Sequence, residues 1–325
     1  MATMKAIVVE ETGGVDKLTY KDIPIPQPKE GTVVIKNHFI GINYIDTYHR
    51  SGLYTLPLPF VLGRESAGEI SAVGPGVEGF KVGDRVVYIG GSTYAEYSEG
   101  KVDAVEKITN DISYETAAAI GIQALTAWTL VRESYPVKKG DYILVHAAAG
   151  GVGLLLCQLS KYLGATVIGT VSSAEKAALA RENGADYVIN YTEEDVVAKV
   201  NEITNGLGCH GIFDGVGKST WDISLQSARR LGSVISFGNA SGVVPPISIS
   251  ILAQKNLKIM RPALYNYLAT REESHKWWGE VFELLAKGVI KTHIYKVYNL
   301  EDAKQAHIDI ESRKTTGKLL LKATL

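Results

Sequence analysis

The 325-residue sequence predicts an α/β protein in which a doubly wound parallel sheet is nested within a second, mainly β domain. The chain is longer than the roughly 150 residues that one domain usually holds. Near Tyr142 the pattern changes from short β-branched runs to alternating strands and helices, and after Leu268 it changes back. We therefore expect one domain over residues 1–124 and 267–325 and a second over residues 125–266.

The first part of the chain, as far as about Gly121, is predicted to be all β. Its apolar runs are short and β-branched, as in residues 6–9, 33–36 and 85–88. Glycine and proline clusters such as residues 74–76 separate these runs where the chain must turn.

From about Tyr142, strands and helices alternate as in a parallel sheet with right-handed crossovers. Gly164, Gly184 and Gly206 follow three of the helices at positions suited to a left-handed cap. Six strands make a whole dinucleotide-binding sheet rather than half of one. The strands are predicted at 142–146, 166–170, 187–190, 211–214, 233–237 and 257–260, and the helices at 151–163, 174–183, 195–205 and 221–230.

After Leu268 the sequence predicts an amphipathic helix over 272–288, short strands, and a second helix over 301–312. This tail is too small to bury a core of its own. We expect it to complete the first domain.

A glycine-rich turn follows the first strand of the parallel sheet. The strand over 142–146 runs into Ala147-Ala148-Ala149-Gly150-Gly151-Val152-Gly153 and then into an apolar helix. Gly150 and Gly151 let backbone N–H groups approach a pyrophosphate, and Gly153 lets the helix pack close to the sheet. With a strand before it and a helix after it, the turn predicts nucleotide binding.

The end of the second sheet strand favours NADPH over NADH. Enzymes selective for NADH usually place an acidic residue there, but this strand ends in Val171-Ser172-Ser173, with Lys176 one turn into the next helix. Hydroxyl groups and a lysine attract a 2′-phosphate, whereas a carboxylate repels one. The alternative is that Lys176 is a solvated helix residue and Ser173 a helix N-cap.

Several sequence blocks, spread over almost the whole chain, occur in the same order as in a known protein family. They are Gly41-Ile42-Asn43-Tyr44-Ile45-Asp46, Tyr48-His49-Arg50-Ser51-Gly52-Leu53-Tyr54, Leu62-Gly63-Arg64-Glu65-Ser66-Ala67-Gly68, Gly83-Asp84-Arg85-Val86, residues 147–153, Asn190-Tyr191, residues 236–242 and Glu311-Ser312-Arg313. In these blocks the chain resembles the zinc-free quinone oxidoreductase, or zeta-crystallin, branch of the medium-chain dehydrogenase/reductase superfamily. The resemblance implies a Rossmann domain nested with a GroES-like catalytic domain.

The resemblance also implies a set of residues that bind NADPH. The 2′-phosphate contacts correspond to Ser172, Lys176, Tyr191 and Arg313. The nicotinamide side corresponds to Asn43, Thr126, Val216, Phe237, Gly238 and Asn239, with Pro262 nearby, and the phosphate loop contributes Gly150, Gly151 and Val152. Without the resemblance, Arg313 is interpreted equally well as a surface arginine on a terminal helix.

No metal site is expected. In the zinc-dependent alcohol dehydrogenases of the superfamily, a cysteine takes the place of Asn43 and a histidine that of Arg64. Cys157 and Cys209 are the two cysteines of the chain, and the seven histidines form no pair with metal-ligand spacing.

Without a metal to polarise a carbonyl, alcohol oxidation is not expected, whereas a quinone is electrophilic enough to accept hydride. By resemblance, Asn43, Tyr48 and Tyr54 lie in the substrate cleft, where they can donate hydrogen bonds to the developing oxyanion. Tyr48 and Tyr54 are equally well interpreted as packing residues.

Two alternative functions remain open. An NADPH-dependent enone or alkenal reductase would share the fold, the cofactor and most of the site. Some zeta-crystallin relatives bind RNA, but 34 Lys and Arg residues against 35 Asp and Glu residues do not favour a dedicated RNA-binding protein.

Composition predicts an ordinary globular protein with no membrane-spanning stretch and no secretory leader. We expect a protein of the cytoplasm, with the nucleus as the alternative. A homodimer is expected through an edge strand around residues 248–260, where Ile247, Ile249 and Ile251 alternate, although these residues would also suit the interior of one subunit.

Overall fold

The computed structural model describes residues 2–323. Its contacts divide the chain into two units. The β-rich unit consists of Met1–Ile122, Thr270–Trp278 and Thr292–Leu325, and the parallel-sheet unit consists of Gln123–Ala269 and Gly279–Lys291. The domain limits 1–124, 125–266 and 267–325 stay a prediction.

Strands predominate in the first part of the described chain, and strands and helices alternate in the middle part. The first part contains β1 Thr3–Val9, β2 Leu18–Pro24, β3 Thr32–Ile42, α1 Tyr44–Ser51, β4 Phe60–Val61, β5 Glu65–Val73, β6 Arg85–Ile89, β7 Tyr97–Lys101, β8 Val105–Lys107 and α2 Tyr114–Thr129. The middle contains β9 Tyr142–Val145, α3 Gly151–Tyr162, β10 Thr166–Val171, α4 Ala174–Glu182, β11 Tyr187–Asn190, α5 Val196–Ile203, β12 Cys209–Asp214, α6 Trp221–Ser227, β13 Ala228–Ser236 and β14 Lys258–Met260. The last part contains α7 Arg271–Ala286, β15 Ile294–Asn299, α8 Ala303–Glu311 and β16 Lys318–Lys322.

The β-rich unit contains two sheets. One has the order β2-β1-β4, and the other has the order β15-β16-β3-β5-β6-β8, with β7 paired to β3. The returning tail joins the larger sheet, since β16 pairs antiparallel with β3. The core between these elements includes Ile7, Leu18, Ile40, Leu62 and Leu321. Thr270–Trp278 and Thr292–Leu325 of the tail thus belong to this unit, whereas Gly279–Lys291 belongs to the parallel-sheet unit.

The parallel-sheet unit contains a six-stranded sheet in the order β11-β10-β9-β12-β13-β14, and every pairing in it is parallel. The order reverses between β9 and β12, where ligands of doubly wound sheets bind. Leu144, Ile168, Ile189, Ile212 and Val234 form one buried layer. The α/β fold class is confirmed.

Helix caps of the parallel-sheet unit match the sequence prediction. Gly164, Gly184 and Gly206 have φ values of +85°, +101° and +79°. These left-handed conformations cost glycine little, and Gly164 and Gly184 directly follow the C-cap residues of α3 and α4, whereas after α5 Asn205, with a φ of +52°, is left-handed before Gly206.

Two helices occur where the sequence predicts only strands. Helix α1 begins with a capping box in which Asn43 and Asp46 bond each other's backbone N–H groups. Helix α2 is rich in alanine, the strongest helix former, including Ala117, Ala118 and Ala119. The all-β prediction for residues 1–121 is wrong in these two segments, because caps and helix propensity outweigh the surrounding β pattern.

Two other local predictions are also wrong. The helix predicted over 221–230 ends at Ser227, and Ala228 is extended and begins β13. The alternation of Ile247, Ile249 and Ile251 does not form a strand, because Ile249–Gln254 is a 3₁₀ helix. The edge strand of this region is the short β14. No helix in residues 2–323 has the length and apolar character needed to cross a bilayer.

Candidate active site

The glycine-rich turn lies between β9 and α3 of the parallel-sheet unit. Gly150 is the N-cap residue of α3, and no side chain caps this helix. A helix N-terminus of this kind suits an anion, because its first N–H groups lack intrahelical partners. A Cβ on Gly153 would overlap the carbonyl oxygen of Ala147 and lie 2.9 Å from the Cα of Ala148. Glycine is therefore required where the helix packs against the turn.

A polar pocket forms where β10 ends. The ammonium group of Lys176 lies 3.4 Å from the hydroxyl of Ser172. The backbone N–H of Tyr191 donates to the carbonyl of Val171 at 3.1 Å. The structure thus brings together Ser172, Lys176 and Tyr191, three of the four residues predicted to bind the 2′-phosphate.

Within this pocket, Ser173 is the N-cap of α4 and accepts a hydrogen bond from the N–H of Lys176 at 3.3 Å. Lys176 is half-buried, and burial lowers the pKa of its side chain. Burial of a cation favours an anionic ligand that restores its lost solvation.

The predicted nicotinamide side is built from two segments that bond each other. The carboxylate of Asp214, at the end of β12, accepts the N–H of Val216 at 2.9 Å. The carbonyl of Asp214 accepts the N–H of Phe237 at 2.8 Å. A Cβ on Gly238 would overlap the backbone of Gly215. The structure therefore brings together Val216, Phe237, Gly238 and Asn239.

A buried polar chain that the sequence did not reveal supports this region. Asp214 also accepts the hydroxyl of Ser224 at 2.8 Å. His146 bonds the same hydroxyl at 3.1 Å and the hydroxyl of Thr170 at 3.2 Å. Burial lowers the pKa of His146. The chain joins the carboxyl ends of three adjacent strands, and their polar last residues were the only sequence signal for it.

Thr126 and Pro262 lie in the same unit. Thr126 is a half-buried residue of α2. Pro262 follows β14 next to Arg261, a residue that the sequence analysis missed. The guanidinium group of Arg261 donates to the hydroxyl of Ser236 at 3.0 Å and to the carbonyl of Gly238 at 2.9 Å. Arg261 thereby fixes the segment that carries Pro262 beside the one that carries Gly238.

Asn43 lies in the β-rich unit, where it is the N-cap of α1. Its side-chain amide donates to Glu65 Oε1 at 2.6 Å, and its side-chain oxygen accepts from the ammonium group of Lys318 at 2.9 Å. Asn43 is only 6% exposed. The geometry therefore gives Asn43 internal partners, and its amide is committed within this unit.

Glu65 and Lys318 form a buried ion pair that the sequence analysis did not identify. Their side chains are 0% and 2% exposed. The second oxygen of Glu65 accepts the N–H of Ile122 at 2.6 Å. Gly41 and Gly121 surround this carboxylate, and a Cβ on either residue would overlap it. The two glycines and the buried charges were visible in the sequence, but their separation along the chain hid the pairing.

Tyr48 and Tyr54 are brought together in the β-rich unit. Their ring centroids lie 5.2 Å apart in an edge-to-face contact. The N–H of Tyr54 donates to the carbonyl of Tyr48 at 3.1 Å. Tyr48 is buried and Tyr54 is half-buried. Packing and hydrogen bonding to an acceptor are both compatible with this arrangement.

Arg313 also lies in the β-rich unit, directly after α8. It has a φ of +61°, a left-handed conformation that is uncommon for arginine. It is exposed.

No group of three His, Cys, Asp or Glu residues within 2–323 is arranged to hold a metal ion. Both cysteines are buried, and burial raises the pKa of each thiol to about 12.

Two family models match the chain. The "Alcohol dehydrogenase GroES-like domain" matches residues 29–141, and the "Zinc-binding dehydrogenase" model matches residues 151–286. A quinone oxidoreductase of Pseudomonas aeruginosa is 45% identical over 98% of this chain and 99% of its own length. A 2-haloacrylate reductase of a Burkholderia species is 37% identical over 97% of this chain and 98% of its own length.

Solved structures show the same relationship. The structure of Escherichia coli quinone oxidoreductase complexed with NADPH is 44% identical, with a TM-score of 0.96 over 98% of this chain and 99% of that chain. A mycobacterial protein complexed with NADPH is 43% identical, with a TM-score of 0.96 over 98% of this chain and 100% of that chain. Together with the sheet order and the glycine loop, these matches show that the chain belongs to the quinone oxidoreductase branch of the medium-chain dehydrogenase/reductase superfamily.

Proposed function

We propose that this protein is an NADPH-dependent quinone oxidoreductase that transfers reducing equivalents from NADPH to a quinone without a metal. The observation that carries the proposal is the pocket at the end of β10, where Lys176 and Ser172 replace the acidic residue of NADH-selective enzymes. The quinone oxidoreductase of Escherichia coli, solved with NADPH, supports the same cofactor.

The residues present fit this cofactor. The glycine loop leads into a helix N-terminus that no side chain caps, which suits a pyrophosphate, and the half-buried ammonium group of Lys176 suits a phosphate dianion. When bound, NADPH supplies the hydride. We assign Gly150, Gly151 and Val152 to the pyrophosphate, Ser172, Lys176, Tyr191 and Arg313 to the 2′-phosphate, and Thr126, Val216, Phe237, Gly238, Asn239 and Pro262 to the nicotinamide side.

On the acceptor side, the hydroxyl groups of Tyr48 and Tyr54 are the donors that we assign to the developing oxyanion. We assign Asn43 to the same task and to the nicotinamide side. Because its amide bonds Glu65 and its oxygen bonds Lys318, Asn43 also holds the start of α1, the helix that contains Tyr48.

The side chains at the zinc-ligand positions support activity without a metal. Asn43 occupies one position that binds zinc in the alcohol dehydrogenases, Glu65 follows the other, and the ammonium group of Lys318 bonds both Asn43 and Glu65. A metal ion at Asn43 would find an amide in place of a thiolate.

Stopped-flow oxidation of NADPH against a panel of quinones and alkenals tests the proposal. We expect quinones to give the largest kcat/KM, and we expect a chelator to leave the rates unchanged. A preference for NADH, or activity lost to the chelator and recovered with zinc, would contradict it.

Lys176→Ala sharpens this test. Loss of one cation from a phosphate contact should raise the KM for NADPH by about tenfold, whereas the KM for NADH should change little. Lys199→Ala is a matched control, because Lys199 lies in the same unit but pairs with Glu202 on an exposed face of α5. Equal losses with both coenzymes in Lys176→Ala would refute the assignment.

Reduction of an activated alkene is a second candidate. The 2-haloacrylate reductase match favours it, because that relative acts on an electron-poor double bond and shares almost its whole length with this chain. Equal or larger kcat/KM values with alkenals or haloacrylates than with quinones would decide for this candidate.

We also propose a cytoplasmic homodimer. Strand β14 ends the sheet order and leaves one edge without a strand partner among the described residues, and Ile249 nearby is 81% exposed. Exposed sheet edges of this kind are common sites of subunit pairing. The two buried cysteines suit a reducing compartment. Sedimentation measures the oligomeric state directly.

A further inference from the structure

Arg50 and Glu311 belong to two of the sequence blocks that carry the family resemblance, yet the proposed function uses neither. The structure pairs them. The two terminal nitrogens of Arg50 donate to the two carboxylate oxygens of Glu311, each at 2.9 Å. The Arg50 side chain is 6% exposed and that of Glu311 is 36% exposed. This two-bond geometry fixes both groups, and burial on the Arg50 side protects the pair from solvent screening.

Arg50 is held from two other sides. It donates to the carbonyl of Gly13 at 3.2 Å and to Nδ1 of His307 at 3.1 Å. Burial, together with the charge of Arg50, lowers the pKa of His307 to about 3, so this ring is a neutral acceptor. The guanidinium group thus joins the end of α1 to both His307 and Glu311 on α8.

Arg313 is two residues beyond Glu311, just after α8 ends. The pKa of the Tyr44 hydroxyl depends on the charges of this region. Burial raises the pKa of Tyr44, and Glu311 raises it further, whereas Arg313 and Arg50 lower it. The charges of Arg50, Glu311 and Arg313 therefore all act on one half-buried hydroxyl.

We propose that Arg50 is a positioning residue for coenzyme selectivity: it neutralises Glu311 and fixes the end of α8, so that Arg313 is kept for the 2′-phosphate of NADPH. This inference rests on the proposed function, since it requires that Arg313 contacts that phosphate.

The physical reason lies in the sign of the charges. Without Arg50, the Glu311 carboxylate competes with the phosphate for Arg313 and repels the phosphate dianion as well. Both effects weaken NADPH binding, and neither acts on NADH, which lacks the 2′-phosphate. A residue needed only for folding would reduce activity with both coenzymes alike.

The test measures the ratio of kcat/KM for NADPH to kcat/KM for NADH in the full-length enzyme. Arg313→Ala sets the scale and should lower the ratio by about tenfold. Arg50→Met should lower it by a similar factor, and Arg50→Lys, which keeps the charge but not the two parallel bonds, by an intermediate one.

Two double variants separate positioning from structure. Arg50→Met with Arg313→Ala should lower the ratio by less than the product of the two single effects, because the competition for Arg313 is already lost in Arg313→Ala. Arg50→Met with Glu311→Gln removes the unpaired carboxylate and should recover part of the lost selectivity. Arg271→Met is the matched control, because it breaks another Arg–Glu pair of the same unit, with Glu106, and should leave the ratio unchanged.

The outcomes are distinguishable. A wild-type ratio near one refutes the proposed NADPH dependence, and an unchanged ratio in Arg313→Ala refutes the assignment of Arg313 and with it this inference. If Arg313→Ala lowers the ratio but Arg50→Met and Arg50→Lys stay within twofold of wild type, the inference alone fails. If Arg50→Met does not fold, Arg50→Lys decides: an unchanged ratio in this variant overturns the inference.

Discussion

The two units bury charged groups in different ways. In the β-rich unit, Lys318 and Arg50 are buried, and their carboxylate partners are 253 and 261 residues away in the chain. In the parallel-sheet unit, the buried carboxylate of Asp214 bonds backbone N–H groups and hydroxyls no more than ten residues away. No lysine or arginine of that unit is buried among the described residues. The buried carboxylate of the parallel-sheet unit is therefore satisfied by neighbouring residues, and the buried cations of the β-rich unit by ion pairs with residues distant in the chain.

The largest expected effect comes from breaking a long-range pair. Lys318→Met leaves the Glu65 carboxylate without its buried counter-charge, because both side chains are almost completely inaccessible. Removing one partner of a buried pair costs about 3–5 kcal/mol. Urea denaturation should show this loss in the free energy of unfolding.

The double variant Glu65→Gln with Lys318→Met is the control. It removes both charges, so we expect it to recover a large part of the lost stability. A single variant as stable as wild type, or a double variant no better than the single, would show that the ion pair does not hold the acceptor side together.

The next largest effect tests the glycine-rich turn of the parallel-sheet unit. Gly153→Ala places a Cβ against the backbone of Ala147 and Ala148, which must move. Overpacking of this kind costs about 1–3 kcal/mol. Because the turn also carries the predicted pyrophosphate site, we expect weaker NADPH binding by fluorescence titration.

Gly279→Ala provides the matched control for Gly153→Ala. Gly279 is exposed in α7, and a Cβ there meets no atom within 4 Å. Alanine should stabilise this helix by about 0.5–1 kcal/mol without changing NADPH binding. If both glycine variants behave alike, the close approach at Gly153 has no functional weight.

The same contrast explains what the sequence could predict. The glycine loop, the six strands and the caps at Gly164, Gly184 and Gly206 follow from contiguous patterns of turn and helix residues, and the structure contains them. The pairing of Ser172 with Lys176 was within reach because the two residues are one helical turn apart.

The acceptor side could not be predicted in the same way. Asn43 was identified by resemblance, but its bonds to Glu65 and Lys318 depend on strands that meet only in the folded chain. The periodic pattern of apolar residues in a sequence does not indicate contacts between distant segments. Helix α1 was missed although its capping box, Asn43 and Asp46, stands in the sequence, because short β runs surround it.

A smaller, pH-dependent effect comes from Asp46, which is fully buried beside the Glu65–Lys318 pair. Burial raises its pKa to about 7, and the charge of Glu65 adds to this, against the hydrogen bonds from Asn43 and Tyr94 and the charge of Lys318. The native pKa exceeds the unfolded value, so the stabilisation is complete below about pH 4 and is lost as the pH rises towards 7.

Asp46→Asn replaces the ionisable carboxyl group with a neutral amide. The amide oxygen can still accept both hydrogen bonds. We therefore expect its stability relative to wild type to improve between pH 4.5 and pH 7.5 by about 1 kcal/mol or more, as measured by urea denaturation at each pH. A difference that does not vary with pH would mean that Asp46 is ionised throughout this range.

The smallest expected effect separates capping from cofactor binding in the parallel-sheet unit. Ser173→Ala removes the N-cap of α4 and should cost about 1 kcal/mol. Asp195→Ala removes the corresponding cap of α5, where the carboxylate accepts the N–H of Ala198 at 2.9 Å, and should cost about the same. Only the first cap lies beside Lys176, so only Ser173→Ala should also raise the KM for NADPH, by about twofold to threefold. Because the stability loss is matched, a KM that is unchanged in Ser173→Ala, or raised equally in both variants, would show that α4 does not hold Lys176 in place for the 2′-phosphate.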